Sequence, residues 1–151
     1  MVRIGIGLFG LSSNRLMEQR LKPVIDWISS ISQVKVIHPG ESVGYGRTFI
    51  AQKEMRIAII PIGYADGFKR SLSNGVGAVF IDNQRCPVVG RVCMDMIMVD
   101  LGELKIHSNT KVEIIGSNQS LTQFAKDCHT IPYEILTSIS PRVHRSYSEE
   151  E

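Results

Sequence analysis

Short apolar stretches separated by glycine, asparagine and aspartate dominate the hydrophobic pattern of this 151-residue chain. Residues 23–37 carry closely spaced β-branched side chains, which favour extended structure, and the Pro39-Gly40 dipeptide ends this run. Similar stretches predict further strands over residues 48–51, 56–62, 76–81, 86–89, 97–101 and 111–115. Short strands at near-regular spacing indicate a mainly β domain whose antiparallel strands form a barrel or a sandwich.

Two short helices are predicted near the C-terminal end of this pattern. Residues 120–123 read Ser-Leu-Thr-Gln, a capping box that starts a helix reaching about residue 128. Thr130 and Pro132 supply a hydroxyl cap and a first-turn proline for a second helix that ends near residue 138. The other segments are predicted as a strand end over residues 2–9, a loop or single helical turn over 11–20, a last strand over 141–147 and a solvated acidic tail over 149–151.

The composition of the chain excludes some classes of partner and favours one cellular compartment. Hydrophobic residues make up 43% of the chain and charged residues 21%, and no segment approaches the roughly 20 apolar residues of a membrane span. The formal charge is only +2 and the basic residues are scattered, which argues against a nucleic-acid partner. Three cysteines without a C-x-x-C pair favour a reducing, cytoplasmic compartment, and the four histidines lack ligand spacing, so no metal site is expected.

Five sequence blocks carry a family resemblance over nearly the whole chain. They read SVGYG at residues 42–46, PIGYADG at 61–67, VVGRVCMD at 88–95, VDLG at 99–102 and IPYEIL at 131–136. In order and spacing they resemble the C-terminal domain of alanine racemases. The resemblance implies an enzyme that interconverts L- and D-alanine for bacterial cell-wall synthesis, uses pyridoxal 5'-phosphate and works as a head-to-tail homodimer.

The same resemblance predicts how the chain is divided. Residues 1–14 are similar to the last strand and phosphate loop of the family's N-terminal cofactor barrel, and residues 15–151 correspond to its C-terminal β domain. In the family, the lysine that binds the cofactor as a Schiff base lies far upstream in that barrel. No lysine of this chain occupies a matching block, so the chain alone is expected to be inactive and to carry no covalent cofactor.

Tyr64, in the PIGYADG block, is the first catalytic candidate. Racemisation removes a proton from one face of the α-carbon and returns it to the other, which one rigid base cannot easily do. The resemblance implies that Tyr64 is the base for the L-enantiomer in the partner subunit's active site, opposite the barrel lysine. A phenol has an ordinary pKa near ~10, so this role needs nearby positive charge. The alternative is a turn tyrosine between glycines, with Asp66 bonding its own backbone.

Further binding residues are implied by the resemblance alone. The backbone N–H of Met94 is expected to contact the substrate carboxylate, Arg3 the pyridine nitrogen of the cofactor, and Gly5 and Ile6 its phosphate. The alternatives are a core methionine and an ordinary strand with a surface arginine. At the position where many family members have a phosphate-contacting tyrosine, this chain has Pro141.

Two other functions fit the same residues. One is a non-catalytic β module that serves dimerisation or binding. The other is a racemase for serine or another small amino acid, which the size of the substrate pocket would distinguish from an alanine racemase.

Overall fold

The computed structural model describes residue 1, residues 3–12 and residues 14–148. Its strands are β1 (Trp27–Ser30), β2 (Gln33–Ile37), β3 (Ser42–Val43), β4 (Phe49–Ile50), β5 (Met55–Ile60), β6 (Ala78–Ile81), β7 (Gln84–Pro87), β8 (Ile97–Asp100) and β9 (Lys111–Ile115). The α-helices are α1 (Arg15–Glu18), α2 (Leu121–Asp127) and α3 (Pro132–Ser138), and short 3-10 helices span Gly5–Phe9, Tyr45–Arg47 and Arg70–Leu72. None of the helices in these ranges is long and apolar enough to cross a membrane.

The strands form three antiparallel sheets, as the sequence predicts. One has the order β1-β9-β6-β7, the second β2-β5-β8, and the third pairs β3 with β4. Consecutive strands β4 and β5 therefore lie in different sheets. A single bridge between Val88 and Val99 joins the first two sheets, and within the described ranges the strand order shows antiparallel sheets without a closed barrel, in agreement with the predicted mainly β fold class.

Local turn and cap chemistry explains several element boundaries. Asp82 and Asn83 adopt φ values of 48° and 62°, which suit the two-residue hairpin turn between β6 and β7. The Ser120 side chain accepts a hydrogen bond from the Gln123 N–H at 3.1 Å, as a capping serine should. The Gln123 side chain instead donates to Asp127 at 2.8 Å, so only half of the predicted capping box forms.

The start of α3 differs from the prediction. Pro132 occupies its first turn, but the N-cap is Ile131, which has no side-chain cap hydrogen bond. The Thr130 hydroxyl bonds the carboxylate of Glu134 rather than a backbone N–H. The helix begins without a side-chain cap because the residue at the N-cap, Ile131, has no oxygen that could accept a backbone N–H.

Two predicted strands are wrong. Gly5–Phe9 is a 3-10 helix rather than a strand end, since Gly5 has φ of +60°, outside the extended region, and Gly10 ends the helix at φ of +78°. Residues 141–147 form a turn and loop, because Val143 N–H bonds Ser140 O. Val2 and residues 149–151, included in the predicted strand end and tail, lie outside the described residues.

The core lies between the sheets and helices α2 and α3. Phe124 of α2 is fully buried and packs edge-on against Trp27 of β1, with ring centroids 5.9 Å apart, and against Phe68, at 5.7 Å. Burial of aromatic rings in such edge-to-face contacts is a main source of stability in a domain of this size. Phe68 follows the PIGYADG turn directly and is also fully buried, so the core anchors this turn.

Candidate functional site

Tyr64 lies in a tight turn that follows β5. The N–H groups of Asp66 and Phe68 both donate to the Gly63 carbonyl, at 3.0 and 3.1 Å. Asp66 Oδ2 accepts the Gly63 N–H at 2.8 Å, which confirms that this aspartate bonds its own turn. The turn leaves the Tyr64 side chain 48% exposed, available to a molecule outside this chain.

The loop that carries Met94 packs directly on this turn. Tyr64 N–H donates to the Cys93 carbonyl at 3.1 Å, and Ala65 N–H donates to the Met94 carbonyl at 3.0 Å. Met94 is 52% exposed, so it is not a core methionine. Among the described residues its N–H has no hydrogen-bond partner, and the predicted site residues Tyr64 and Met94 are thus adjacent.

Gly63 makes this close approach of two loops possible. A methyl group on it would lie 2.2 Å from the Met94 carbonyl oxygen and 2.3 Å from that of Cys93. We expect Gly63→Ala to lower the free energy of unfolding by about 1–3 kcal/mol, because backbone atoms cannot yield as side chains do. Urea unfolding of the chain measures this. Gly7→Ala is the matched control, since its added methyl would meet nothing closer than 3.4 Å, and equal losses in both would contradict the prediction.

Tyr45 is a second phenol at the same place, which the sequence reasoning missed. Tyr45, Tyr64, Arg70 and Val92 line one open cleft of about 470 Å³. Tyr45 is 71% exposed, more than Tyr64. The available signal was the SVGYG block, where a glycine directly precedes the tyrosine as Gly63 precedes Tyr64 in PIGYADG.

Two guanidinium groups lie close to these phenols. Arg70 is part of the cleft wall. A methyl group on Gly46, the residue after Tyr45, would lie 3.1 Å from Arg91 Nη1, so the Arg91 side chain passes directly against that turn. Gly46 has φ of +71°, and its missing side chain gives Arg91 this space.

An ion bridge links the two loops to the C-terminal segment. Arg142 Nε donates to Asp66 Oδ1 at 2.7 Å and Arg142 Nη2 donates to Asp95 Oδ1 at 2.6 Å. Burial raises the pKa of the Asp66 carboxyl, but the hydrogen bonds from Arg142 and the Gly63 N–H outweigh it and hold that pKa below its usual value. Asp66 therefore stays ionised and keeps its hydrogen bonds at neutral pH.

The predicted cofactor residues lie apart from this cleft. Arg3, Gly5 and Ile6 are not among the residues that line it. Gly5 begins a 3-10 helix, whose first N–H groups have no partners within the helix, and a methyl on Gly5 would lie 3.5 Å from the Tyr133 hydroxyl. Backbone N–H groups that have no partner among the described residues, beside a glycine without a side chain, are donors of the kind that a phosphate requires.

The cysteines and acidic groups offer no other chemistry in the described ranges. All three thiols are free. Burial raises the pKa of Cys86 to about 11 and of Cys128 to about 12, and it also raises the pKa of Cys93, which Arg70 partly lowers. Such thiols are protonated and unreactive at neutral pH. No cluster of three potential metal ligands occurs in the part of the chain that the structure describes.

Known proteins share both the sequence and the fold. The family model described as "Alanine racemase, C-terminal domain" matches residues 24–147. The alanine racemase of Brucella ovis is 41% identical over 97% of this chain and 41% of its own length, and that of Vesicomyosocius okutanii is 44% identical over 94% and 40%. The crystal structure of the Bartonella henselae alanine racemase, with covalently bound pyridoxal phosphate, is 38% identical with a TM-score of 0.89, over 95% of this chain and 40% of that one.

The chain thus spans about two fifths of the length of the curated relatives that it matches. The match covers all five sequence blocks and the mainly antiparallel fold with its helices. A family model over most of the chain and an agreeing structure are independent kinds of support. This chain therefore belongs to the alanine racemase family, as its C-terminal domain.

Proposed function

We propose that this chain is the part of a pyridoxal-phosphate-dependent alanine racemase that contributes a phenolic base to a second subunit's active site. The observation that carries the proposal is the convergence of two exposed phenols, Tyr45 and Tyr64, on one cleft beside the Met94 loop. A phenol in an open cleft can meet a substrate held by another molecule. A tyrosine that served only packing would instead be expected to bury its ring.

The chemistry required is transfer of one proton at the substrate α-carbon. Bound pyridoxal phosphate would withdraw electrons from that carbon and make its proton acidic. The phenolate oxygen takes the proton from one face, and a base outside this chain serves the other face. The N–H of Met94, which has no partner in the described part of the chain, would hold the substrate carboxylate beside the phenol.

Tyr45 and Tyr64 are not equivalent candidates for the catalytic base. Tyr64 is the residue that the sequence resemblance indicates. Tyr45 is more exposed than Tyr64, and the turn that carries it lies directly against the Arg91 side chain, so its phenol is the better placed to meet a substrate held by a neighbouring molecule. We therefore assign the proton transfer to this pair, with Tyr45 as the base and Tyr64 as its neighbour in the cleft wall.

The cofactor contacts of the N-terminal segment are part of the same proposal. Arg3 would bond the pyridine nitrogen, and the N–H groups of Gly5 and Ile6 would bond the phosphate. An arginine keeps its proton because its pKa is above ~12, so the ring nitrogen stays unprotonated and side reactions are limited. Residues 1–14 would then belong functionally to the cofactor domain and residues 15–151 to the β domain.

The proposed substrate, oligomeric form and biological role are based on the alanine racemases that this chain is similar to. We propose alanine as the substrate, a head-to-tail homodimer as the active form and supply of D-alanine for the cell wall as the role. The cytoplasm is the proposed compartment, because the free thiols of Cys86, Cys93 and Cys128 suit reducing conditions. A bulkier substrate such as serine is the competing specificity, and kcat/KM for the two amino acids measures it.

The test compares the isolated chain with a racemase in which it follows a cofactor-binding domain. We expect the isolated chain to racemise no alanine and to gain no stoichiometric lysine adduct after pyridoxal phosphate and borohydride. The joined protein is expected to exchange the α-proton of L-alanine with solvent deuterium, followed by NMR. A joined protein that binds the cofactor and forms dimers without exchange would support the non-catalytic module instead.

A further inference from the structure

We propose that Arg142 is a positioning residue that holds the Tyr64 turn and the Met94 loop in their working geometry. The inference rests on the proposed function for its catalytic meaning. Its structural basis is independent, since one guanidinium bonds carboxylates on both loops, Asp66 at 2.7 Å and Asp95 at 2.6 Å. A planar guanidinium can bond two acceptors along one edge in a fixed geometry, which an ammonium cannot do.

Two backbone hydrogen bonds join the Tyr64 turn to the Met94 loop but do not by themselves prevent rotation of one relative to the other. The bonds Tyr64 N–H to Cys93 O and Ala65 N–H to Met94 O are neighbours and define a short axis. Two adjacent bonds allow the loops to rotate about that axis. Asp95 follows Met94, so its bond to Arg142 is a third attachment beyond these two bonds and restrains the loop next to the Met94 N–H.

Arg142 is itself held in place by the chain before it. Ser140 N–H donates to the Asp66 carbonyl at 3.2 Å. A methyl on Gly67 would lie 2.8 Å from the Ser138 carbonyl oxygen, so the end of α3 lies directly on the Tyr64 turn. Pro141 restricts the backbone between Ser140 and Arg142. The guanidinium therefore reaches the two carboxylates from a fixed base.

The two halves of the bridge differ in strength. The Asp66 side chain is 12% exposed, whereas that of Asp95 is 46% exposed. Solvent screens the Asp95 pair more, and loss of Arg142 would leave the Asp66 charge largely buried without its main partner. The bond to Asp66 is therefore the stronger attachment of Arg142. The weaker bond to Asp95 connects Arg142 to the Met94 loop.

Hydrogen exchange of the chain tests the positioning without reference to activity. In Arg142→Gln we expect the amides of Tyr64 and Ala65 to exchange about tenfold faster, while the buried amide of Val112 in β9 keeps its rate. Arg145→Gln is the matched control, since Arg145 bonds only the Ile139 carbonyl among the described residues, and it should change neither. Unchanged loop exchange in Arg142→Gln, or equal acceleration throughout the chain, would overturn the proposal.

Kinetics of the joined racemase test whether the positioning by Arg142 affects catalysis. We expect Arg142→Gln to lower kcat by about 10- to 100-fold with little change in KM, because misplaced groups chiefly slow the chemical step. Arg142→Lys should recover part of this loss. Asp95→Ala, at an exposed site where folding is not at risk, should show a smaller loss of the same kind.

The outcomes separate the two proposals. If the wild-type joined protein racemises nothing, the proposed function fails, and the exchange experiment alone decides on the positioning. If the wild type is active and Arg142→Gln matches it in kcat, the positioning role is overturned while the function stands. A loss confined to KM would make Arg142 a substrate-binding residue and would also overturn it.

Discussion

Tyr45→Phe lowers kcat for alanine racemisation by about 10²- to 10⁴-fold in a racemase that contains this chain, because a phenylalanine cannot accept the α-proton. The loss is expected in both directions, since the phenol oxygen takes the proton from one face of the α-carbon in one direction and returns a proton to that same face in the other. Binding of the cofactor stays unchanged, because Tyr45 lies apart from Arg3 and Gly5. Circular dichroism in each direction of the reaction measures the rate, and cofactor absorbance measures the binding.

Tyr64→Phe and Tyr147→Phe complete this experiment. Tyr64→Phe is expected to cost less than Tyr45→Phe, because its ring would still form the cleft wall. Tyr147 is 90% exposed and lies outside the cleft lining, so Tyr147→Phe should leave the rate unchanged. A larger loss in Tyr64→Phe would assign the base to Tyr64, as the sequence resemblance indicates. If neither cleft variant fell below the Tyr147 control, the phenol base would be refuted.

Phe124→Ala is expected to lower the free energy of unfolding of the chain by about 3–5 kcal/mol. Phe124 is fully buried and contacts the rings of Trp27 and Phe68, so its removal loses transfer free energy and both edge-to-face contacts. Because Phe68 follows the Tyr64 turn, the cavity should also loosen the cleft. Urea unfolding followed by Trp27 fluorescence reports both the stability and the environment of the contacted ring.

Ile131→Ala is the control for this core variant. Ile131 is 59% exposed although it precedes α3, so truncation removes little buried surface. We expect a change within about 0.5 kcal/mol, as is usual for surface positions. A Phe124→Ala loss no larger than this would mean that the core reorganises to fill the cavity. The edge-to-face contacts of Phe124 would then contribute little to the stability of the domain.

The strands could be predicted because their signals are local. The β-branched run that became β1 and β2 and the Asp82-Asn83 turn each specify their conformation from neighbouring residues alone. The failures are segments without such signals. Residues 141–147 have strand-like composition, but the bonds from Ser140 and Arg142 to Asp66 hold that segment in a loop.

Part of the candidate site could be predicted because its sequence blocks are also local signals. The PIGYADG and CMD blocks could be recognised by their residues, and the structure places Tyr64 and Met94 side by side. Tyr45 was missed because it lies 19 positions before Tyr64 in the sequence and reaches the same cleft only through the fold. The spacing of two residues in the chain carries no information on such a distance.

Motifs, β-branched runs and glycine turns depend on near neighbours, so the family resemblance, the antiparallel strands and the position of the Tyr64 turn could be predicted from the amino-acid sequence. The strand order of each sheet, the approach of Tyr45 to Tyr64 and the bridge from Arg142 to Asp66 and Asp95 follow instead from the three-dimensional fold. These features join residues 19 to 76 positions apart, where each contact depends on the path of the whole chain between them.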